Sequence, residues 1–147
     1  ATTTGIPYGT VNLMLGVPEG ETRVSNTAGA GSLTVEFGTL SLLSSSSSPF
    51  YAASKKAVLA LLDRKGQKTG LLGTHIDAMK GTWTDHLASI GSGTDSLYEY
   101  LLKAGILFGD EELLQHFQVL YDDVQRVMKK NQWYIDVNVM SGAHISP

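Results

Sequence analysis

Gly91-Ser92-Gly93-Thr94-Asp95-Ser96-Leu97-Tyr98-Glu99-Tyr100-Leu101-Leu102-Lys103 sets a glycine-rich loop directly before an amphipathic helical pattern, with a carboxylate at the junction. Asp95 stands at or near a helix N-terminus, where unpaired N–H groups and the helix dipole favour an anion. Glu99 follows one turn later on the same face. Tyr98 and Tyr100 flank it, and amphipathic rings beside carboxylates suit a sugar-like ligand, on which apolar and hydroxyl surfaces alternate. A capped helix with solvated acids explains the same spacing, because Ser and Asp are among the commonest helix starts.

Outward from this stretch the pattern stays helical. Ser96 to Phe108 predicts a strongly apolar helix that stops near Gly109. Glu111 to Lys130 predicts its partner, with Leu113, Leu114, Phe117, Leu120, Val124 and Val127 facing inward. Upstream, two segments predict an α-hairpin: Ser32 to Leu43, with Leu33, Phe37 and Leu40 on one face, and Phe50 to Arg64, with Phe50, Ala53, Ala57 and Leu61 at helical spacing. The serine run Ser44 to Ser48 between them reads as a flexible solvent loop. Gly70 to Thr84 alternates around Gly81, through Leu72, Ile76, Met79 and Trp83, which predicts a β-hairpin; Trp133 to Met140 alternates again. The expected class is mainly α, with short β-hairpins between paired helices.

Composition narrows the function classes. A chain of 147 residues with 42% hydrophobic content is one domain's worth and can bury a core. The net charge of −3, with acids and bases interspersed, leaves no basic stripe for nucleic acid and no cationic membrane helix. The apolar runs are too short to span a bilayer, and no charged-then-apolar leader opens the chain. Without cysteine there is no disulfide, thiol catalysis or thiolate metal site. No asparagine begins an Asn-x-Ser/Thr sequon. His75, His86, His116 and His144 lack paired spacing, so zinc ligation is not expected. Gly91-Ser92-Gly93 has neither the lysine nor the preceding strand of a nucleotide site.

Four blocks in one order carry a resemblance: Gly5-Ile6-Pro7-Tyr8-Gly9-Thr10-Val11-Asn12-Leu13, Thr27-Ala28-Gly29-Ala30-Gly31-Ser32-Leu33-Thr34-Val35-Glu36-Phe37-Gly38-Thr39-Leu40-Ser41, the stretch from Asp95 to Lys103, and Leu107-Phe108-Gly109-Asp110. The chain resembles glycoside hydrolase family 47, the class I α-1,2-mannosidases and the EDEM-type (ER degradation-enhancing α-mannosidase-like) proteins. The Thr-Ala-Gly-Ala-Gly-Ser-Leu block points to the EDEM branch. Leu97 departs from the family's aromatic residue at that position, and Asn26 stands where many EDEM-type sequences have a cysteine. The resemblance implies an α/α barrel of paired helices in two concentric layers. Residues 1–147 correspond to a single internal segment of its catalytic domain, an incomplete barrel expected to be inactive alone.

The implied reaction is inverting hydrolysis of α-1,2-linked mannose. Inversion needs a carboxylic acid to protonate the leaving oxygen and a carboxylate to activate water, roughly 6.5–9.5 Å apart. By resemblance, Asp95 matches an essential catalytic acidic residue. Glu36 matches an acidic residue of the sugar cleft, and Glu99 is its companion on the Asp95 helix, both assigned to substrate binding. The acid and base glutamates, and the threonine that holds the family's Ca²⁺, are expected outside these residues, and no metal ligand is assigned within them. The residues leave open whether Asp95 acts as acid or base, and whether Glu36 faces a cleft or a rim. The processing mannosidases carry an arginine at the position of Gly93, and its absence here implies looser branch selectivity. The implied setting is the lumen of the endoplasmic reticulum (ER). The implied partners are high-mannose N-glycans on misfolded glycoproteins and an oxidoreductase, with no nucleic acid. A non-hydrolytic glycan-binding or chaperone-like module is the alternative reading.

Overall fold

The structure, a computed structural model, describes residues 2–44 and 48–145. In chain order it holds β1 (Val24–Asn26), α1 (Thr27–Gly31), α2 (Thr34–Ser44), α3 (Phe50–Leu62), β2 (His75–Asp77), β3 (Thr82–Trp83), β4 (Leu87–Ala88), α4 (Asp95–Phe108), α5 (Glu111–Val127), β5 (Lys129–Lys130), β6 (Trp133–Tyr134) and β7 (Val137–Asn138). The mainly helical class with short strands between helices is what the sequence led us to expect. Ser45 to Ser47, the middle of the serine run, lie outside the described residues.

Helix α4 carries the candidate acid of the sequence. Asp95 is its first residue, and its buried face consists of Leu97, Leu101, Ala104 and Gly105. It ends at Gly109, whose φ of 65° is the left-handed cap that glycine takes without a Cβ penalty. One residue later Asp110 caps α5, its carboxylate accepting from Leu113 N at 3.2 Å. The short link folds α5 back on α4, where Leu113 and Leu120 join the buried face of α4 in one core. α5 stops at Val127, short of the expected Lys130, because Lys129 and Lys130 pair with Trp133 and Tyr134 as the strands β5 and β6.

Helices α2 and α3 form the expected hairpin, but a different face does the packing. Leu40 is exposed, whereas Thr34 and Gly38 are buried. A Cβ on Gly38 would lie 2.3 Å from the Phe108 ring and 3.0 Å from Tyr51, so glycine lets those two rings meet edge to face at 5.1 Å over the helix. In α3 the buried line is Ser54, Ala57, Val58, Leu61 and Leu62, while Phe50 and Ala53 face outward.

The expected hairpin around Gly81 is present as β2 and β3, with Gly81 at φ 70° in the turn. It is wider than expected, since β1 adds as a third antiparallel strand with Ser25 opposite Ile76. The alternating stretch after Trp133 splits between two sheets: β6 pairs with β5, and β7 with β4. The core has two lobes. One holds Ile6, Leu61, Leu72, Ile76, Leu97, Leu101, Leu113 and Leu120; the other holds Leu71, Ala88, Val124, Met128, Val137 and Val139; Trp83 and Tyr98 pack against both. No helix among the described residues is long and apolar enough to cross a membrane.

Candidate functional site

The loop that presents Asp95 is tied down from within. Buried Thr94 donates its hydroxyl to Ser89 O at 2.6 Å and Gly91 O at 3.1 Å, and Gly91 N donates to Ser89 Oγ at 3.0 Å. Asp95 N closes the turn on Gly91 O at 2.9 Å. Gly93 has φ 91°, and a Cβ there would meet Thr74 Cγ2 at 2.5 Å. Backbone conformation and space both call for glycine at this point. Gly93 O in turn accepts from Ala28 N at 2.8 Å, which seats the loop against α1. That helix is capped by Asn26, whose Oδ1 accepts from Gly29 N at 2.6 Å, so the residue standing in the cysteine's place has a structural role of its own.

Asp95 itself is exposed, and its Oδ1 accepts from Ser96 N at 3.0 Å. It lies on a pocket of about 280 Å³ walled by Ile90 and Tyr98 on its own side, Phe117, Tyr121 and Gln125 from α5, and Tyr134 from β6. Phe117 and Tyr121 stack at 6.1 Å with ring planes 28° apart, and Gln125 Nε2 donates to Tyr134 Oη at 2.7 Å. An aromatic wall beside a carboxylate matches a ring that offers apolar C–H faces and hydroxyl edges. Tyr98 contributes its ring, but its hydroxyl is buried without a hydrogen-bond partner among the described residues, and burial with the Asp123 charge pushes the phenol up to about 12.

The two other acids of the sequence reading lie outside this pocket's lining. Glu36, in the first turn of α2, is exposed and makes no ion pair among the described residues. Its Oε1 accepts from Tyr100 Oη at 2.6 Å, a link between α2 and α4 across 64 residues of sequence. That hydrogen bond, then burial and the charges of Glu36 and Glu99, raises the Tyr100 phenol pKa, so the hydroxyl is a fixed donor at neutral pH. Glu99 shares the exposed face of Asp95 but is engaged by Lys103 one turn on, an i,i+4 ion pair. The structure therefore separates the two tyrosines that flank Glu99: Tyr98 serves the Asp95 pocket and Tyr100 serves Glu36.

Sequence reasoning assigned Phe117 to the interior and gave Tyr121 and Tyr134 no role. Their signal was present as an i,i+4 aromatic pair on α5 and an aromatic in an alternating run, but their convergence on Asp95 required the fold. A second cluster outside the predicted site joins α3 to α5: Asp110 Oδ2 accepts from Tyr51 Oη and from Lys55 Nζ, each at 2.6 Å, and Lys55 also reaches Glu112 Oε2 at 2.8 Å. Burial and these acids hold the Tyr51 phenol well above its ordinary value. Among the histidines, His75 Nδ1 meets Asp85 Oδ2 at 2.6 Å. No group of three or more His, Asp or Glu side chains among the described residues is arranged to hold a metal ion.

Comparison with known proteins places this geometry in a family. The family model described as Glycosyl hydrolase family 47 matches residues 1–144. Alpha-mannosidase I MNS4 of Arabidopsis thaliana is 47% identical over 146 residues, covering 99% of this chain and 23% of that protein. ER degradation-enhancing alpha-mannosidase-like protein 2 of Homo sapiens is 40% identical over 146 residues, covering 99% of this chain and 25% of that protein. The chain thus spans about a quarter of the length of these curated relatives. The fold is similar to that of the alpha-1,2-mannosidase from Trichoderma reesei, with a TM-score of 0.77 at 23% identity over 96% of this chain and 31% of that one. With its helix hairpins, its loop-borne Asp95 and a family match over nearly its whole length, the chain belongs to glycosyl hydrolase family 47, with EDEM-like proteins and plant alpha-mannosidases I among its relatives.

Proposed function

We propose that this chain supplies the Asp95 side of the glycan cleft in an inverting, calcium-dependent α-1,2-mannosidase that trims high-mannose N-glycans of misfolded glycoproteins in the ER lumen. The observation that carries the reading is Asp95 itself. An exposed carboxylate is fixed at the first residue of α4 by a hydrogen-bonded loop and stands on an aromatic-walled pocket, in a chain 47% identical to a protein named as an α-mannosidase. In this role Asp95 acts on the reacting sugar from a rigid junction, and Glu36 accepts hydrogen bonds from sugar hydroxyls. Glu99 tethers Lys103 and supports the same exposed face. The remaining acid–base glutamates and the calcium ligands belong to parts of the enzyme outside these residues, and helices α2 to α5 form part of the two-layer α/α barrel. An oxidoreductase partner in the same compartment could form no mixed disulfide with these residues, which contain no cysteine.

The test is release of free mannose from a high-mannose N-glycan with added Ca²⁺, by the full-length protein, its Asp95→Asn variant and residues 1–147 alone. Calcium-dependent release by the full-length protein, abolished in Asp95→Asn and absent from the isolated chain, is the expected result. No release, with retained binding of the same glycan, supports the glycan-binding module in place of the enzyme.

A further inference from the structure

We propose that Tyr100 is a positioning residue of the glycan site: its phenol donates to Glu36 Oε1 at 2.6 Å, fixes that carboxylate against α4, and leaves the second oxygen free to accept from a sugar hydroxyl. This rests on the reading of Glu36 as a substrate ligand. The argument begins with how little else restrains Glu36. Its side chain is exposed on the first turn of α2, with no cation paired to it among the described residues. An unrestrained glutamate of this kind samples several rotamers and loses that freedom when it binds a ligand.

Tyr100 removes that cost beforehand. It is half-buried on α4, a helix held in the core by Leu97, Leu101 and Ala104, so its ring is a rigid arm. A phenol donates one hydrogen bond, and a carboxylate has about four acceptor sites, so the contact orients Glu36 without using it up. Tyr100 lies five residues beyond Asp95, about 7.5 Å along the helix axis at 1.5 Å per residue. Asp95 and the anchor for Glu36 are therefore carried on one rigid element, and the bond holds α2 in register with the helix that bears Asp95. A purely stabilising role fits less well. An exposed hydrogen bond contributes little to folding, and the interhelical packing is already supplied by Gly38, Tyr51 and Phe108.

The experiment uses Tyr100→Phe, Glu36→Gln and the double variant in the full-length protein. It measures kcat and KM for mannose release, the Kd of a fluorescently labelled high-mannose glycan by anisotropy, and Tm. Tyr100→Phe removes only the hydroxyl. It is expected to weaken glycan binding and lower kcat/KM by about tenfold, the scale of one hydrogen bond to a charged group, with Tm within a few degrees. The double variant is expected to be no worse than Glu36→Gln alone, because the hydroxyl acts only through that carboxylate. A Tyr100→Phe protein with kcat/KM and Kd within twofold of the parent overturns the proposal, and so does a double variant in which the two losses multiply. A parent that binds glycan without hydrolysing it refutes the enzyme reading but not the positioning role, which is then judged on Kd alone. A parent that neither binds nor hydrolyses glycan overturns both.

Discussion

Replacing Asp110 by alanine strikes three interactions at once, and the structure allows each to be weighed. The first is the cap of α5, where Asp110 Oδ1 accepts from Leu113 N, worth about 1 kcal/mol. The second is the bond from Tyr51, a neutral hydroxyl on a charged acceptor that is only 11% exposed, worth about 1.5 kcal/mol. The third is the ion pair with Lys55, which costs less to lose because Lys55 keeps Glu112 at 2.8 Å; roughly 0.5 kcal/mol is reasonable. Since the three share one carboxylate they will not add in full, and a loss of about 2–3 kcal/mol is expected. Asp110→Asn retains the capping oxygen and should lose about half as much. Urea denaturation followed by far-ultraviolet circular dichroism measures both. Asp110→Ala within about 0.5 kcal/mol of the unaltered protein, or Asn as damaging as Ala, would refute the idea that this carboxylate locks α3 to α5.

Gly66→Ala places a Cβ 2.1 Å from the backbone oxygen of Val139, which a rotamer change cannot relieve, so a loss of roughly 2–3 kcal/mol by denaturant titration is expected. Gly93→Arg, the change that would restore the processing enzymes' arginine, must adopt φ 91° and displace Thr74; a lower Tm without a gain in branch selectivity is expected when released glycan isomers are resolved by chromatography. The Asp110 cluster also predicts a pH profile. Burial opposes the Asp110 charge, but Lys55, Tyr51 and the Leu113 N–H outweigh it and hold its pKa below the ordinary 3.8. Likewise Lys55 is held above 10.5 by Asp110 and Glu112 against its desolvation. The Asp110 contribution is complete above 3.8 and fades as pH falls through its lower folded value; the Lys55 contribution is complete below 10.5 and fades as pH rises through its higher one. The stability gap between the unaltered protein and Asp110→Ala should therefore stay flat from about pH 5 to pH 9 and shrink below about pH 4.

What the sequence revealed and what it hid divide along the range of the interactions. Helices α4 and α5 were legible because their signals are local: a glycine loop, an apolar period, and Gly109-Asp110 as stop and restart. The five residues of α1 are small and carry no period, and β1 is a strand only because β2 lies beside it, about 50 residues away in the chain. The buried face of α2 was misassigned for a related reason. A hydrophobic pattern marks large residues, whereas close packing against Phe108 and Tyr51 chose the position with no side chain, Gly38. At the site, Asp95 and the Asp95/Glu99 face could be read from spacing. The Glu99–Lys103 pair was equally readable at i,i+4 but went unread. No local pattern could show that Tyr100 reaches Glu36, or that α5 and β6 bring their rings to Asp95.

These distances give α4 two ends with different duties. Its N-terminal residue is Asp95, on the aromatic pocket, and the interlock of Asp110 with Tyr51 and Lys55 begins two residues past its C-terminal Phe108. Fourteen residues at 1.5 Å each separate the ends by about 21 Å. At that distance an Asp110 substitution shares no partner with Asp95, so its effect on stability should be independent of the chemistry of Asp95 at the other end. Measured well below its lowered Tm, Asp110→Ala should release mannose with the kcat/KM of the unaltered protein, whereas Tyr100→Phe should keep its Tm and lose kcat/KM. If Asp110→Ala instead lowers kcat/KM at temperatures where it is fully folded, the interlock transmits to the site along α4. Helix packing would then be setting the position of Asp95, and the fixed loop from Ser89 to Thr94 would not be sufficient to hold it.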